Sequence, residues 1–196
     1  MTVKNKKLKE KIKKTHYAVL VIDMLNDFVY GKMRCAKAEK IIPKIKSLLE
    51  TAKSKKIPVF YCTDAHLPGD YEFKIWGPHA LKGTKGAKII DDLKPTALDY
   101  VVPKRTYSAF YNTKLESLLK KKFGKKGPDV IIITGVCTDI CVTDMAYDAF
   151  VRGCDIMVPE DAVTTFREQD HHSALEYMKK NYGAKILKTS KIIDIL

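Results

Sequence analysis

Cys141 lies inside the run Asp129 to Gly153, DVIIITGVCTDICVTDMAYDAFVRG, where the residue pattern changes from strand to helix. Val130-Ile131-Ile132-Ile133 is an unbroken β-branched stretch, the signature of a strand covered on both faces. After a turn from Gly135 to Asp139, Val142, Met145, Ala146, Ala149 and Phe150 recur at helical spacing as one apolar stripe. Thr138 or Asp139 is placed to cap that helix and Gly153 to end it. The thiol is thus expected in a first helical turn, where unpaired N–H groups and the helix dipole favour a thiolate. Cysteine is equally a common core residue, so position alone does not make Cys141 a nucleophile.

A nucleophilic thiol needs one group to take its proton and one to protonate the leaving group. Asp23 could do both in turn, and Lys104 could hold the thiolate and the carboxylate by charge. Each has a plainer reading: aspartates often follow strands, as Asp27 illustrates, and Lys104 is one of many lysines. Asp64-Ala65-His66 offers two metal-ligand types two residues apart, on one side of an extended backbone, with His79 thirteen residues on. One carboxylate and two imidazoles suit zinc, with manganese or iron(II) as alternatives, and leave coordination positions open. Glu72 is a further candidate ligand or acceptor. Trp76, the sole tryptophan, reads either as lid packing or as a wall for a flat ring, and Phe28, Tyr107 and Phe110 could serve alike. His171-His172 reads as an exposed pair at a helix start; Cys35, Cys62, Cys137 and Cys154 read as packing thiols.

The elements that must position these groups alternate. Strands are expected at Tyr17–Ile22, Val59–Cys62, Tyr100–Val102, Val130–Ile133, Asp155–Val158 and Ala184–Leu187, and helices at Ala36–Lys55, Asn112–Lys122, from the Thr138 or Asp139 cap to Gly153, and at 169–181. The connection from Ala65 to Gly86 is too long to be idle. Alternation of this kind predicts an α/β protein, a three-layer α/β/α sandwich of Rossmann-like winding around a mostly parallel six-stranded sheet. Ligands of such sheets bind beyond the strands' carboxyl ends, where Asp23, Asp64, His66, Lys104 and Cys141 would all emerge.

Composition narrows the alternatives. The 196 residues are 45% hydrophobic, enough for one domain, with residues 1–16 as a basic N-terminal extension carrying seven lysines. No apolar run is long enough to span a membrane, and five cysteines without paired spacing point to a reducing cytoplasm. A net charge of +13 raises the question of nucleic acid, but it comes almost wholly from lysine, with four arginines and no interleaved aromatics, so no nucleic-acid partner is expected. The Walker, dinucleotide-binding and serine-elbow glycine patterns are absent.

Taken together, VLVIDMLNDFVYG, CTDAHLP, WGPHALKGTKGAKIIDDLKP, VPKRTYSAFYNTKL and IITGVCTDICVTDMAYDAFVRGCDIMVPEDA resemble the isochorismatase-like cysteine hydrolases, and nicotinamidases among them. The resemblance implies a catalytic triad of Asp23, Lys104 and Cys141, and a metal held by Asp64, His66 and His79 that binds a pyridine nitrogen. It also implies a cis peptide at Val136–Cys137, with the N–H groups of Cys137 and Cys141 as the oxyanion hole. Substrate contacts are expected from Phe28, Trp76 and Tyr107, and a homo-oligomer, dimer or tetramer, from the family. The compact KRTYSAF and the WGPHA segment depart from many nicotinamidases, and KRTYSAF is similar to N-carbamoylsarcosine and other ureido-type amidohydrolases. Both point to a small-molecule amide as the ligand. Two other classes stay open at this stage: a metal-activated-water hydrolase in which Cys141 is structural, and a non-catalytic binding domain.

Overall fold

The computed structural model describes residues 15–196, so most of the basic extension, expected as a solvated helix or frayed segment, lies outside the described residues. Strands β1 (Tyr17–Ile22), β2 (Val59–Asp64), β3 (Tyr100–Lys104), β4 (Val130–Val136), β5 (Asp155–Pro159) and β7 (Lys185–Leu187) form one sheet in the order β3-β2-β1-β4-β5-β7. A two-residue strand, β6 (Val163–Thr164), adds to β4, which makes seven strands among the described residues where six were expected. Every strand pair is parallel. The extra strand is too short to leave a periodic signal in the sequence.

Alternation along the strands builds two cores. Val19 and Val21 of β1 face one way, onto helix α2 (Ala38–Ser54) and the C-terminal helix α7 (Thr189–Ile195), with Ile41, Ile45, Leu48 and Ile192 buried there. Ala18, Leu20 and Ile22 face the other way, onto α4 (Leu115–Phe123), α5 (Thr143–Val151) and α6 (Glu168–Tyr182). The central strands β1, β2 and β4 are thus covered on both faces, which is why each reads as a continuous apolar run. Two short helices, α1 (Asn26–Val29) and α3 (Phe73–Trp76), lie in the connections that leave β1 and β2.

The segment after β4 differs from expectation. Thr138–Val142 is a π-helical turn that runs into α5, so Cys141 belongs to that wider turn rather than to an α-helical one. Neither Thr138 nor Asp139 caps the helix: Thr138 Oγ1 lies 2.9 Å from His171 Nδ1, and Asp139 accepts from Thr165 Oγ1 at 2.5 Å. Of the expected stripe, Val142, Met145, Ala146 and Ala149 are buried, but Phe150 is exposed. It stacks on Tyr182, with ring centroids 5.6 Å apart. Gly153 ends the segment at φ +73°, as expected.

Candidate active site

β1 sits where the winding reverses, with β2 on one side and β4 on the other, so the carboxyl ends of these strands open a crevice. Register aligns the chemistry along that edge: Asp64 is level with Lys104, and Ile22, just before Asp23, is level with Gly135. Asp23 has φ +48°, a left-handed conformation that Asp tolerates better than most residues. Its N–H donates to Cys62 O at 3.0 Å and its Oδ1 accepts the Asp64 N–H at 2.8 Å, so the chain end of β1 is locked onto β2.

The predicted trio converges. Lys104 Nζ lies 2.7 Å from Asp23 Oδ2, 2.5 Å from Asp64 Oδ1 and 3.7 Å from Cys141 Sγ. All four side chains are buried. Burial, with the Asp64 charge added, pushes the Asp23 carboxyl up to about 7, against the pull of Lys104. Burial opposes a charge on Lys104, but Asp23 and Asp64 outweigh it and hold the ammonium well above its ordinary range. Burial also raises the Cys141 thiol, with Lys104 pulling the other way. The thiol thus lies beside a cation that favours its ionised form. The nearby Asp23 carboxyl is poised to change its protonation near neutrality.

Donor atoms of Asp64, His66, Glu72 and His79 lie within 4.8 Å of one another. The expected trio is there, and Glu72 completes it as a fourth. Gly77 O accepts from His79 Nδ1 at 2.8 Å, which leaves Nε2 for the cluster, and His66 Nε2 is buried with no hydrogen-bond partner. A buried, unpartnered imidazole nitrogen among two carboxylates and a second imidazole fits a zinc-, manganese- or iron(II)-type ion. Burial, with the Asp64 charge added, pushes the Glu72 carboxyl up to about 7.

A cavity joins the two clusters. It is lined by the buried Asp23, Asp64, Cys141, His79 and Phe28, by Glu72, and, toward solvent, by the more exposed Trp76, Tyr107 and Phe166. The expected Phe28, Trp76 and Tyr107 are all present. Phe110 is not: it packs in the core beneath the Arg152 guanidinium, 4.5 Å from its ring centre. Phe166 was missed, since a lone aromatic between threonines and charges carries no pattern. Trp76 stacks near it, with centroids 6.1 Å apart, and donates its Nε1–H to Tyr107 Oη at 3.1 Å. The peptide Val136–Cys137 is cis, as the resemblance implied, and Cys137 lines the cavity besides packing in the core.

Two more readings need correction. Asp27, cited as an incidental aspartate, accepts the Ala80 N–H at 2.8 Å and so fixes the residue after His79. The His171-His172 pair does lie at the start of α6, and His172 is exposed, but His171 is half-buried and reaches Thr138 beside the nucleophile turn. The signal for both is absent locally, because their partners lie 53 and 33 residues away.

The parallel α/β domain thus brings a thiol, an ammonium and a carboxylate together at its switch point. The isochorismatase-domain profile matches residues 17–191, and the chain belongs to that family. N-carbamoylsarcosine amidase from Thermoplasma acidophilum superposes with a TM-score of 0.82 at 35% identity, over 89% of this chain and 97% of that one. Nicotinamidase from Bacillus subtilis gives 0.81 at 29%, over 89% and 100%. Pyrazinamidase of Pyrococcus horikoshii, solved in complex with zinc, gives 0.81 at 28%, over 88% and 99%. Among the described residues no helix is long and apolar enough to cross a membrane.

Proposed function

We propose that the protein is a cysteine-dependent amidohydrolase that releases ammonia from a small amide, with nicotinamide, hydrolysed to nicotinate, as the best-supported substrate. The observation that carries the reading is the shared Lys104 ammonium, 3.7 Å from Cys141 Sγ and 2.7 Å from Asp23 Oδ2, with that thiol and that carboxylate both lining an aromatic-walled cavity. In the reaction Asp23 takes the thiol proton while Lys104 stabilises the thiolate. Sulfur attacks the amide carbonyl carbon, and the N–H groups of Cys137 and Cys141 receive the developing oxyanion. Asp23 then returns its proton to the amide nitrogen, the C–N bond breaks and ammonia leaves a thioester on Cys141. Asp23 next takes a proton from water, whose oxygen attacks the thioester, and the acid departs with the thiol restored.

Asp64, His66, Glu72 and His79 would hold a divalent metal, zinc for preference, with manganese or iron(II) as alternatives. Bound there it would supply a Lewis-acid anchor for a ring nitrogen. Phe28, Trp76, Tyr107 and Phe166 flank a flat ring and exclude water. The zinc in the pyrazinamidase structure supports this assignment, and the donor cluster favours a pyridine amide over an N-carbamoyl substrate. Five free thiols suit work in a reducing cytoplasm.

The test is ammonia release from nicotinamide, pyrazinamide, N-carbamoylsarcosine and ureidoacrylate by zinc-loaded protein, beside Cys141→Ala. Turnover of the pyridine amides that disappears in the variant supports the reading. Turnover only of the carbamoyl compounds moves the assignment to the ureido-type hydrolases. Full activity in Cys141→Ala removes the thiol from the mechanism altogether.

A further inference from the structure

Both imidazoles of the donor cluster have their outer nitrogen occupied, but by different groups. His79 Nδ1 meets the neutral carbonyl of Gly77 at 2.8 Å. His66 Nδ1 instead lies 3.0 Å from Asp70 Oδ2. Asp70 is buried, its Oδ2 also accepts the Leu67 N–H at 3.0 Å, and its N–H donates to Leu67 O at 3.1 Å, so the carboxylate is pinned inside its own turn. Arg105 closes over the other side: its Nε lies 3.2 Å from both Asp70 oxygens, and its Nη2 makes a shorter contact with Oδ1. The Arg105 side chain itself is 57% exposed.

A pinned, ionised carboxylate only accepts hydrogen bonds, so the proton must sit on His66 Nδ1. The lone pair is then on Nε2, the buried atom without a hydrogen-bond partner that faces Asp64 and Glu72. We propose that Asp70 is a positioning residue for the metal centre, fixing the tautomer and aim of His66, and that Arg105 in turn fixes Asp70. Nothing in the DAHLPGD segment announces this, because Arg105 lies 35 residues beyond Asp70. Arg105 directly follows Lys104, so the end of β3 serves both halves of the site: its ammonium faces the thiol and its guanidinium steadies the metal loop. A negatively charged acceptor also makes His66 a stronger donor than His79, whose partner is neutral.

The inference rests on the metal centre proposed above and is tested by zinc affinity, not turnover. Wild type, Asp70→Asn and Arg105→Met are titrated with zinc against a chromophoric chelator, and their cobalt(II) forms are compared by visible absorption. Asparagine keeps the size and an acceptor while removing the charge. Asp70→Asn is expected to weaken zinc binding roughly 10- to 100-fold and to shift the cobalt ligand-field bands. Arg105→Met, at a side chain more than half exposed, is expected to weaken it by a smaller factor in the same direction. Zinc affinities within twofold of wild type in both variants overturn the proposal. So do unshifted cobalt bands alongside weakened binding, which mark a loosened loop rather than an altered ligand. A wild type that folds but takes up no zinc removes the metal centre and this inference together. One that takes up zinc but hydrolyses no amide removes only the amidase reading, and the variants still decide the role of Asp70.

Discussion

At the scale of single residues, Lys104 does more than its place among many lysines implies. It is fully buried between two buried carboxylates, and its ammonium is the sole cation that the two share within ion-pair distance among the described residues. Lys104→Met keeps most of the stem and deletes the charge. Asp23 is then left facing Asp64 with the cation they share gone, a change that costs roughly 3–5 kcal/mol when one member of a buried pair is removed. The expected outcome is a clearly lowered melting temperature together with loss of amide turnover. Cys141→Ala separates the two effects. The thiol packs in the core beside Val142 and Ile22 but carries no ion pair, so its loss should abolish turnover and cost about 1 kcal/mol at most by denaturant titration. If the two variants lost stability equally, the ion-pair argument for Lys104 would fail.

At the scale of elements, the crevice depends on how closely β1 and β4 approach at their carboxyl ends. Gly135 has φ +106°, and a methyl group there would lie 2.0 Å from the Ile22 carbonyl oxygen, which is backbone and cannot swing aside. Gly135→Ala must therefore push apart the strands that carry Asp23 and the nucleophile turn, a cost of about 3 kcal/mol or more from strain and overpacking combined. Circular dichroism melts should show the destabilisation, and turnover should fall further than the residual folded fraction explains. An Ala variant with wild-type stability would mean that the two strand ends are not held in register. The strands themselves were readable because β1, β2 and β4 are buried on both faces and repeat β-branched and aromatic residues. The same holds for α2, whose stripe recurs at helical spacing. Asp23, Lys104 and Cys141 were found by their shared address after strands, a consequence of parallel winding. What escaped was set by contacts distant in sequence: the two-residue β6, the π turn, Phe166 at the cavity mouth, Asp27 under Ala80, and Asp70 with Arg105. None of these leaves a periodicity, so no local pattern could announce them.

At the scale of the whole molecule, the donor cluster ties separate parts of the chain together. Asp64 ends β2, His66 bridges in register to Leu81, Glu72 borders α3, and His79 precedes Ala80, which is held by Asp27 from the β1 side. Burial with the Asp64 charge pushes Glu72 up to about 7, and His66 Nε2 is buried without a hydrogen-bond partner, two features that a bound cation would relieve. An ion that binds the folded chain and not the unfolded one stabilises by mass action, about 4 kcal/mol at a free concentration 1,000 times its dissociation constant. For a chain of this length that corresponds to a rise in melting temperature of roughly 8–16 °C. Thermal melts of chelator-treated protein, repeated with increasing zinc, should climb with the logarithm of free zinc, reaching this rise at about 1,000 times the dissociation constant. Glu72→Gln separates a ligand from a bystander: as a ligand it should flatten the zinc-dependent rise while leaving the apo melt unchanged or higher, because it removes a crowded acid. A zinc-independent melting temperature in the wild type, with all four side chains intact, would detach the cluster from metal binding. It would leave the aromatic mouth and the Cys141 base to select the amide alone.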